Sequence, residues 1–147
     1  MMLENRNQPA AQPIPELKPL ERLVGTWKVS DPTGAGAISG ETTFEWINGG
    51  SFMLQMRNFA GNSGIEIIGY DQESGTLKSY AFSEDGQVRE YEYELDDDTL
   101  IISIDTPQEQ GDFVATFSED GNSYTGSWEW DEDGVPMGYD AMMTRVS

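Results

Sequence analysis

The chain has 147 residues, a length that predicts one domain with a substantial hydrophobic core. Its 8 basic and 27 acidic residues give a net charge of −19, which argues against nucleic acid and anionic membranes as partners. Cysteine and histidine are both absent, which excludes disulfides, thiolate or imidazole metal ligands, histidine-ligated haem and histidine-based catalytic triads. Without a signal-peptide or membrane-span pattern, the sequence predicts a soluble cytoplasmic protein.

The N-terminal region divides into two parts. Residues 1–15 are polar and punctuated by proline, and they offer little apolar surface to offset the entropy of ordering them, so we predict a disordered leader. The segment "ELKPLERL" at 16–23 then has three leucines at helical spacing and one proline that limits its length. It predicts a short helix or 3₁₀ turn that opens a single domain over 16–147.

All of the chain after this helix has the pattern of β-strands. Short runs of β-branched and aromatic residues alternate with turn signals at intervals of roughly 8–12 residues, which is typical of an antiparallel sandwich or barrel. We predict strands near 24–30, 37–47, 51–59, 64–71, 76–83, 88–95, 99–105, 111–118, 123–131 and 137–146. The fold class is therefore all-β, an antiparallel up-and-down barrel of about ten strands joined by hairpins.

Three acidic turns share a sequence: "SEDG" at 83–86, "SEDG" at 118–121 and "DEDG" at 131–134. Repeated carboxylates raise the question of calcium, but an EF-hand loop spreads its ligands over about a dozen residues and ends in glutamate. Compact Asp-Gly pairs between strands instead favour hairpins, where glycine supplies the positive φ. The acidic run at 96–98 is likewise interpreted as a solvated turn, and no metal-ligating residue is predicted.

The hairpins predict which side chains share the inner face. With two-residue Asp-Gly loops, facing residues have opposite parity, so the aromatic and aliphatic positions of neighbouring strands meet. Across the turn at 83–86, Tyr80 and Phe82 are predicted to face Tyr91 and Arg89, and across the turn at 96–98, Tyr91, Tyr93 and Leu95 are predicted to face Leu100, Ile102 and Ile104. Across the turn at 118–121, Phe113 and Phe117 are predicted to face Trp128 and Tyr124. Across the turn at 131–134, Trp128 and Trp130 are predicted to face Tyr139 and Met137.

The turn at 48–50, "NGG", leaves two registers open. A three-residue loop would place Trp46 on the same face as Phe52 and Leu54, whereas a two-residue loop would place it with Met53 and Arg57. The first register buries more apolar surface, so we expect it, with Arg57 pointing to solvent.

The stretch "LERLVGTWKVS" at 20–30 resembles the Gly-x-Trp signature that opens the first strand of the calycins, which include lipocalins, fatty-acid-binding proteins and nitrobindin-like barrels. The resemblance implies that Trp27 closes the barrel floor beneath an arginine of the last strand, and that Gly25 allows close packing. Arg145 has the inner parity required for that arginine. A guanidinium above an indole is a favourable cation–π pair.

Two further stretches, "WINGGSF" at 46–52 and "IIGYD" at 67–71, resemble a calycin-like domain family of uncharacterised function. This resemblance covers the chain from about residue 20 onward and implies a barrel with a cavity, but no activity. The nitrobindin branch binds haem through a histidine, so haem binding of that kind is excluded here and no cofactor is predicted.

The predicted inner face carries candidate ligand-binding residues at two depths. Near the mouth of the barrel these are Asn58, Phe82, Arg89, Tyr91 and Trp130, and deeper inside they are Tyr80, Tyr93, Trp128 and Tyr139. A guanidinium and phenols among aromatic rings are typical of a site that orients an amphipathic molecule, with Arg89 taking a carboxylate. The alternative is that Arg89 pairs with an acid at the rim and the aromatic side chains fill the interior as ordinary core.

Two functional classes stay open at this point. The first is a carrier or sensor that binds a small apolar or amphipathic molecule inside the barrel. The second is a structural or protein-interaction module with a filled barrel and an acidic surface. No catalytic residue is predicted, because most carboxylates fall in turns or on outward positions where water keeps their pKa values ordinary.

Overall fold

The computed structural model describes residues 12–34, 39–59 and 62–147, with Asn62 described by its backbone alone. Within these ranges, ten antiparallel strands form a closed barrel in which each strand pairs with its sequence neighbour and the last strand pairs with the first. The strands are β1 Gly25–Ser30, β2 Ser39–Ile47, β3 Phe52–Phe59, β4 Asn62–Asp71, β5 Thr76–Ser83, β6 Val88–Asp96, β7 Thr99–Asp105, β8 Glu109–Phe117, β9 Ser123–Glu132 and β10 Val135–Arg145. The predicted fold class is confirmed.

A 3₁₀ helix, Pro15–Leu23, covers the end of the barrel where β1 begins, which we call the floor. Its three leucines are fully buried, and Arg22 donates from Nη1 to the backbone oxygen of Asp97 at 2.9 Å, on the turn between β6 and β7. The opposite end, where β1 ends at Ser30, is the mouth. The helix predicted at 16–23 is therefore present and has a structural role.

Part of the predicted leader, residues 1–11, lies outside the described residues, as do residues 37 and 38 of the second predicted strand. Just before the 3₁₀ helix, the backbone N–H of Ile14 donates to the backbone oxygen of Gly50 at 3.1 Å. The chain thus contacts the loop between β2 and β3 before the helix begins.

The predicted facing pairs are confirmed around one part of the barrel. Phe113 pairs with Trp128, and Trp128 pairs in turn with Tyr139. Tyr93 likewise pairs with Ile102 across the turn between β6 and β7. The prediction assumed that the turns contain an even number of residues, and here they do, so the predicted side chains share a face. In the turn Asp133-Gly134, for example, both residues have positive φ, as a two-residue hairpin loop requires.

The predicted register between β5 and β6 is wrong. Backbone N–H of Ser83 donates to the oxygen of Gln87, so the loop contains three residues rather than the two of a tight Asp-Gly turn. The extra residue reverses the parity, and Arg89 faces Ala81. Tyr80 and Phe82 consequently lie on the outer face, where both are exposed.

The expected register between β2 and β3 is also wrong. Ile47 pairs with Phe52 across a four-residue loop at 48–51, which has the parity of the rejected two-residue alternative. Arg57 therefore points into the barrel, and Asn58 lies on the outer face and is exposed. Maximum burial of apolar residues was the wrong criterion here, because this strand places Gln55 and Arg57 inside.

Candidate functional site

The floor of the barrel contains an arginine–tryptophan pair. Trp27 is fully buried, and its Nε1 donates to the backbone oxygen of Leu23 at 2.8 Å. The guanidinium carbon of Arg145 lies 4.2 Å from the centre of the Trp27 ring, a cation–π geometry. Its Nη1 and Nη2 donate to the backbone oxygens of Val24 and Arg22 at 2.7 and 2.8 Å. Arg145 thereby ties the last strand to the end of the 3₁₀ helix.

Gly25 has a steric reason to be glycine. Its φ is +130°, and a Cβ at this position would lie 2.7 Å from Nη1 of Arg145 and 2.5 Å from the backbone oxygen of Ser147. Any side chain would therefore displace the arginine or the chain terminus. The structure places Gly25, Trp27 and Arg145 together, in the positions that the calycin resemblance implies.

Above this floor the barrel contains a cavity of about 140 Å³ that is partly open to solvent. Its apolar lining includes Leu23, Val29, Phe44, Phe59, Leu100, Ile102, Phe113, Trp128, Ala141 and Met143. Its polar lining includes Thr42, Gln55, Arg57, Glu66, Ser83, Arg89, Tyr91, Tyr93 and Tyr124. The polar side chains come mainly from β3 to β6, whereas most of the apolar ones come from the other strands.

The predicted ligand-binding residues fall into three groups. The cavity is lined by Arg89, Tyr91, Tyr93 and Trp128. Trp130 and Tyr139 lie on inner-facing positions and pack edge to face at 6.0 Å, but they do not line the cavity. The face assignment was wrong for Asn58, Tyr80 and Phe82, which lie outside the barrel because of the two register errors.

Arg89 already has an acidic partner. Its Nε donates to Oε1 of Glu109 at 2.9 Å, and this hydrogen bond raises the pKa of the Arg89 guanidinium further above its ordinary value. Both residues lie near the mouth, since β6 and β8 begin there. This is the alternative that the sequence left open, in which Arg89 pairs with a rim acid.

A second ion pair, which sequence reasoning missed, lies deeper in the barrel. Nη1 of Arg57 lies 3.4 Å from Oε1 of Glu66, and the two side chains are only 10% and 6% exposed. The other carboxylate oxygen of Glu66 accepts hydrogen bonds from Oγ of Ser79 at 2.6 Å and from the hydroxyl of Tyr93 at 2.5 Å. Glu66 therefore has three side-chain donors among the described residues, from β3, β5 and β6.

Burial controls the proton affinity of this group. Complete burial raises the pKa of Glu66, because a desolvated carboxylate is costly, and the donors Ser79, Tyr93 and Arg57 only partly oppose that rise. Burial, together with the negative charge of Glu66, also raises the pKa of Tyr93 well above its usual range. Tyr93 thus remains protonated at neutral pH and donates to the carboxylate of Glu66.

Most N–H donors of the Arg57 guanidinium have no hydrogen-bond partner among the described residues. Among the described residues it makes one side-chain hydrogen bond, the long contact to Glu66, although a guanidinium has five N–H donors. No fully buried side-chain nitrogen or oxygen in the described part of the chain lacks a partner. The remaining donors of Arg57 are therefore accessible from the cavity that this residue lines.

Other polar groups face the same space. The side-chain nitrogen of Gln55 donates to Oγ1 of Thr42 at 2.9 Å, which leaves its amide oxygen as an acceptor. Burial raises the pKa of Tyr91 to about 12, so its hydroxyl keeps its proton at neutral pH. The Tyr91 ring packs edge to face with Trp128 at 5.9 Å. The cavity thus combines an aromatic wall with a guanidinium, an amide and a phenol.

The exposed carboxylates are arranged differently. Within the described ranges, no group of three or more Asp and Glu side chains is placed to hold a metal ion. The carboxylate of Asp120 accepts from the backbone N–H of Asn122 and from Ser118, which lowers its pKa. This acidic turn therefore uses its side chain to cap its own backbone.

No protein-family model matches the chain, and no curated protein matches it. Among the described residues, no helix has the length and apolar character needed to cross a membrane. The geometry of the barrel interior is therefore the basis for assigning a function.

Proposed function

We propose that this barrel is a calycin-like carrier or sensor that binds a compact molecule in its cavity, with Arg57 as the polar anchor. The observation that carries the proposal is the cavity itself, in which a nearly buried guanidinium has donors without partners among the described residues. Desolvated donors of this kind bind an acceptor more strongly than the same donors in water.

The size of the cavity narrows the class of ligand. Its volume of about 140 Å³ is close to that of an engineered apolar cavity of roughly 150 Å³ that binds benzene, and well below the roughly 300 Å³ of a drug-sized pocket. A long-chain carboxylate does not fit this volume. We therefore propose a single ring or short aliphatic body that carries one acceptor group.

The acceptor is either a carboxylate or a neutral carbonyl. A carboxylate would match the guanidinium of Arg57 in a bidentate contact, but it would also approach the carboxylate of Glu66. Because burial raises the pKa of Glu66, protonation of this residue would relieve the repulsion. A carboxylate ligand should therefore bind more tightly as the pH falls toward the raised pKa of Glu66, whereas a neutral amide should show no such dependence.

Three features support the calycin-like assignment. They are the Gly25-x-Trp27 pair, the Arg145 guanidinium over the Trp27 ring and the 3₁₀ helix across the floor. A cytoplasmic location remains part of the proposal, supported by the absence of cysteine from the sequence.

Calorimetric titration with benzoate and benzamide, which have the same shape, tests the proposed function. We expect wild-type protein to bind at least one of them, and Arg57→Met to weaken that binding by roughly 10- to 100-fold, since a charge-assisted hydrogen bond contributes about 1.5–3 kcal/mol. The matched control is Arg89→Met, whose partner is Glu109 and which should change the affinity by less than about 3-fold.

A second variant protects the test against a folding defect in Arg57→Met. Ala141 lines the cavity, and Ala141→Leu replaces a methyl by an isobutyl group within it. This variant should abolish binding while it leaves Arg57 in place. Failure of both probes to bind wild-type protein at millimolar concentration, or equal binding by wild type and Ala141→Leu, would contradict the proposal.

A further inference from the structure

The outer surface of the barrel carries a row of apolar side chains that crosses four neighbouring strands. Met56 of β3 pairs with Ile65 of β4, Ile65 pairs with Phe82 of β5, and Phe82 pairs with Val88 of β6. All four side chains point to solvent, and they are between 39% and 59% exposed. Facing residues on one side of a sheet are close enough to contact each other, so the row is continuous.

A second row reinforces the first. Leu54, Ile67 and Tyr80 pair across β3, β4 and β5 on the same outer face, and Tyr80 is 52% exposed. Phe52 of β3 is also exposed, and its ring packs over Gly69 of β4, where an added Cβ would lie only 2.6 Å from the ring. We call the exposed set the outer apolar patch; it consists of Phe52, Met56, Ile65, Tyr80, Phe82 and Val88.

This clustering distinguishes the patch from the other exposed apolar residues. Val114 of β8, for example, is 48% exposed but pairs with Ser127 on one side and the half-buried Ile101 on the other. Single apolar residues on a surface are ordinary, whereas contiguous patches on soluble proteins mark interaction sites. The outer apolar patch is therefore a candidate interaction site.

The surroundings of the patch indicate the chemistry of that partner. On one side, exposed Glu41 and Glu45 of β2 pair with residues of β3, and on the other side exposed Glu90 of β6 pairs with Tyr80. Two lysines of the described residues lie near these edges: Lys78 of β5 contacts Asp71, with Nζ and Oδ2 3.4 Å apart, and exposed Lys28 of β1 pairs with Glu41, which leaves Glu45 and Glu90 without a lysine opposite them. The patch thus has an apolar centre between two acidic edges.

We propose that the outer apolar patch docks a protein segment whose apolar side chains are flanked by lysine or arginine. Such a segment would cover the apolar rows with its centre and pair its cations with the glutamates of β2 and β6. A second copy of the chain is disfavoured, because it would bring glutamate edges together and add a second net charge of −19. This docking role does not depend on occupancy of the cavity.

The test uses three synthetic peptides of equal length and ¹⁵N-labelled full-length protein. One peptide alternates leucine and lysine amphipathically, one replaces its leucines by serine, and one replaces its lysines by glutamate. We expect the Lys/Leu peptide to shift amides of β3 to β6, and to bind about tenfold or more tightly than the Lys/Ser peptide, because the apolar contacts supply the hot spot. The Glu/Leu peptide should not bind.

Variants then locate the site. Ile65→Thr combined with Phe82→Thr should weaken the Lys/Leu peptide by roughly tenfold, and Tyr80→Ser should do so on its own. The matched control, Val114→Thr, also removes an exposed apolar side chain but lies outside the patch and should leave binding unchanged.

Four outcomes would overturn the proposal. They are no binding of the Lys/Leu peptide, equal binding of the Lys/Leu and Lys/Ser peptides, amide shifts outside β3 to β6, and a self-associated form in sedimentation velocity that dissociates on mutation of the patch.

Discussion

Two walls of this barrel distribute their polar and apolar side chains differently. The wall formed by β7 to β10 has aromatic and aliphatic side chains inside, such as Phe113 and Leu100, and mostly polar ones outside. The wall formed by β3 to β5 has Arg57, Glu66 and Ser79 inside, while Ile65 and its neighbours face water. The first wall is what burial of apolar surface produces. The second departs from that rule at these positions on both faces, although other inner side chains of the same strands are apolar and buried.

We infer from this departure that the wall formed by β3 to β5 is where the proposed functions lie. Burying an ion pair and exposing aliphatic side chains both oppose stability, so a wall that does both retains those residues for another reason. Because alternate residues of a strand point to opposite faces, Ile65 of the patch is next in sequence to Glu66 of the interior network. The proposed ligand site and the proposed docking surface are thus the two faces of the same strands.

The largest expected contrast comes from one substitution made on each wall. Phe113→Ala removes a buried ring that packs on Trp128 and should lower the free energy of unfolding by about 3–5 kcal/mol. Phe82→Ala removes an exposed ring and should cost about 1 kcal/mol or less. Urea unfolding measures both. Similar losses for the two variants would mean that the walls do not differ in this way.

The interior network of the polar wall provides the next test. Tyr93→Phe removes a donor to the buried carboxylate of Glu66 and should destabilise the fold by about 1–3 kcal/mol. Tyr91→Phe is the matched control, because the Tyr91 hydroxyl makes no hydrogen bond to the described residues and its loss should cost less than about 0.5 kcal/mol. The network assignment fails if the Tyr91 substitution is the more costly of the two by thermal unfolding.

The pH dependence of stability should sharpen the contrast further. The pKa of Glu66 is raised above its unfolded value of 4.5, so the stability it contributes is complete below that pH and is lost as the pH rises through the raised pKa. Glu66→Gln has no such loss. Its melting temperature relative to wild type should therefore increase with pH across this window, and a decrease would show that the pKa is lowered instead.

The smallest effect on stability is expected at the centre of the outer apolar patch. Ile65→Thr should change the free energy of unfolding by no more than about 0.5 kcal/mol, since the side chain is largely in water and threonine also favours strands. The same variant should reduce the fluorescence of the neutral apolar dye Nile red. Val114→Thr should not reduce this fluorescence. An equal reduction by both variants would show that the patch does not differ from other exposed apolar residues.

The fold could be predicted from the sequence because strand periodicity and turn residues specify it locally. The ten strands, the 3₁₀ helix and the facing pair Phe113–Trp128 all follow from such patterns. The polar wall could not be predicted, because its faces depend on the number of residues in two loops, and one extra residue reverses every side chain.

The errors in the candidate site have the same origin. The sequence signal for Arg57 was present, in the two-residue alternative for the loop at 48–51, but the apolar criterion rejected it. For Tyr80 and Phe82, the backbone hydrogen bond between Ser83 and Gln87 determines the loop length, and "SEDGQ" does not distinguish it from a tighter turn. Glu66 carried no signal, since a glutamate among isoleucines fits either face of a strand.

The most direct test of the polar wall as a binding surface is an NMR measurement of the arginine Nε–H signals during titration with benzoate, assigned through Arg57→Met and Arg89→Met. Nε of Arg57 makes no hydrogen bond to the described residues, whereas Nε of Arg89 donates to Glu109 at 2.9 Å. We predict that the Arg57 signal shifts to saturation while the Arg89 signal stays in place. A shift of Arg89 with no change at Arg57 would contradict the assignment of Arg57 as the anchor.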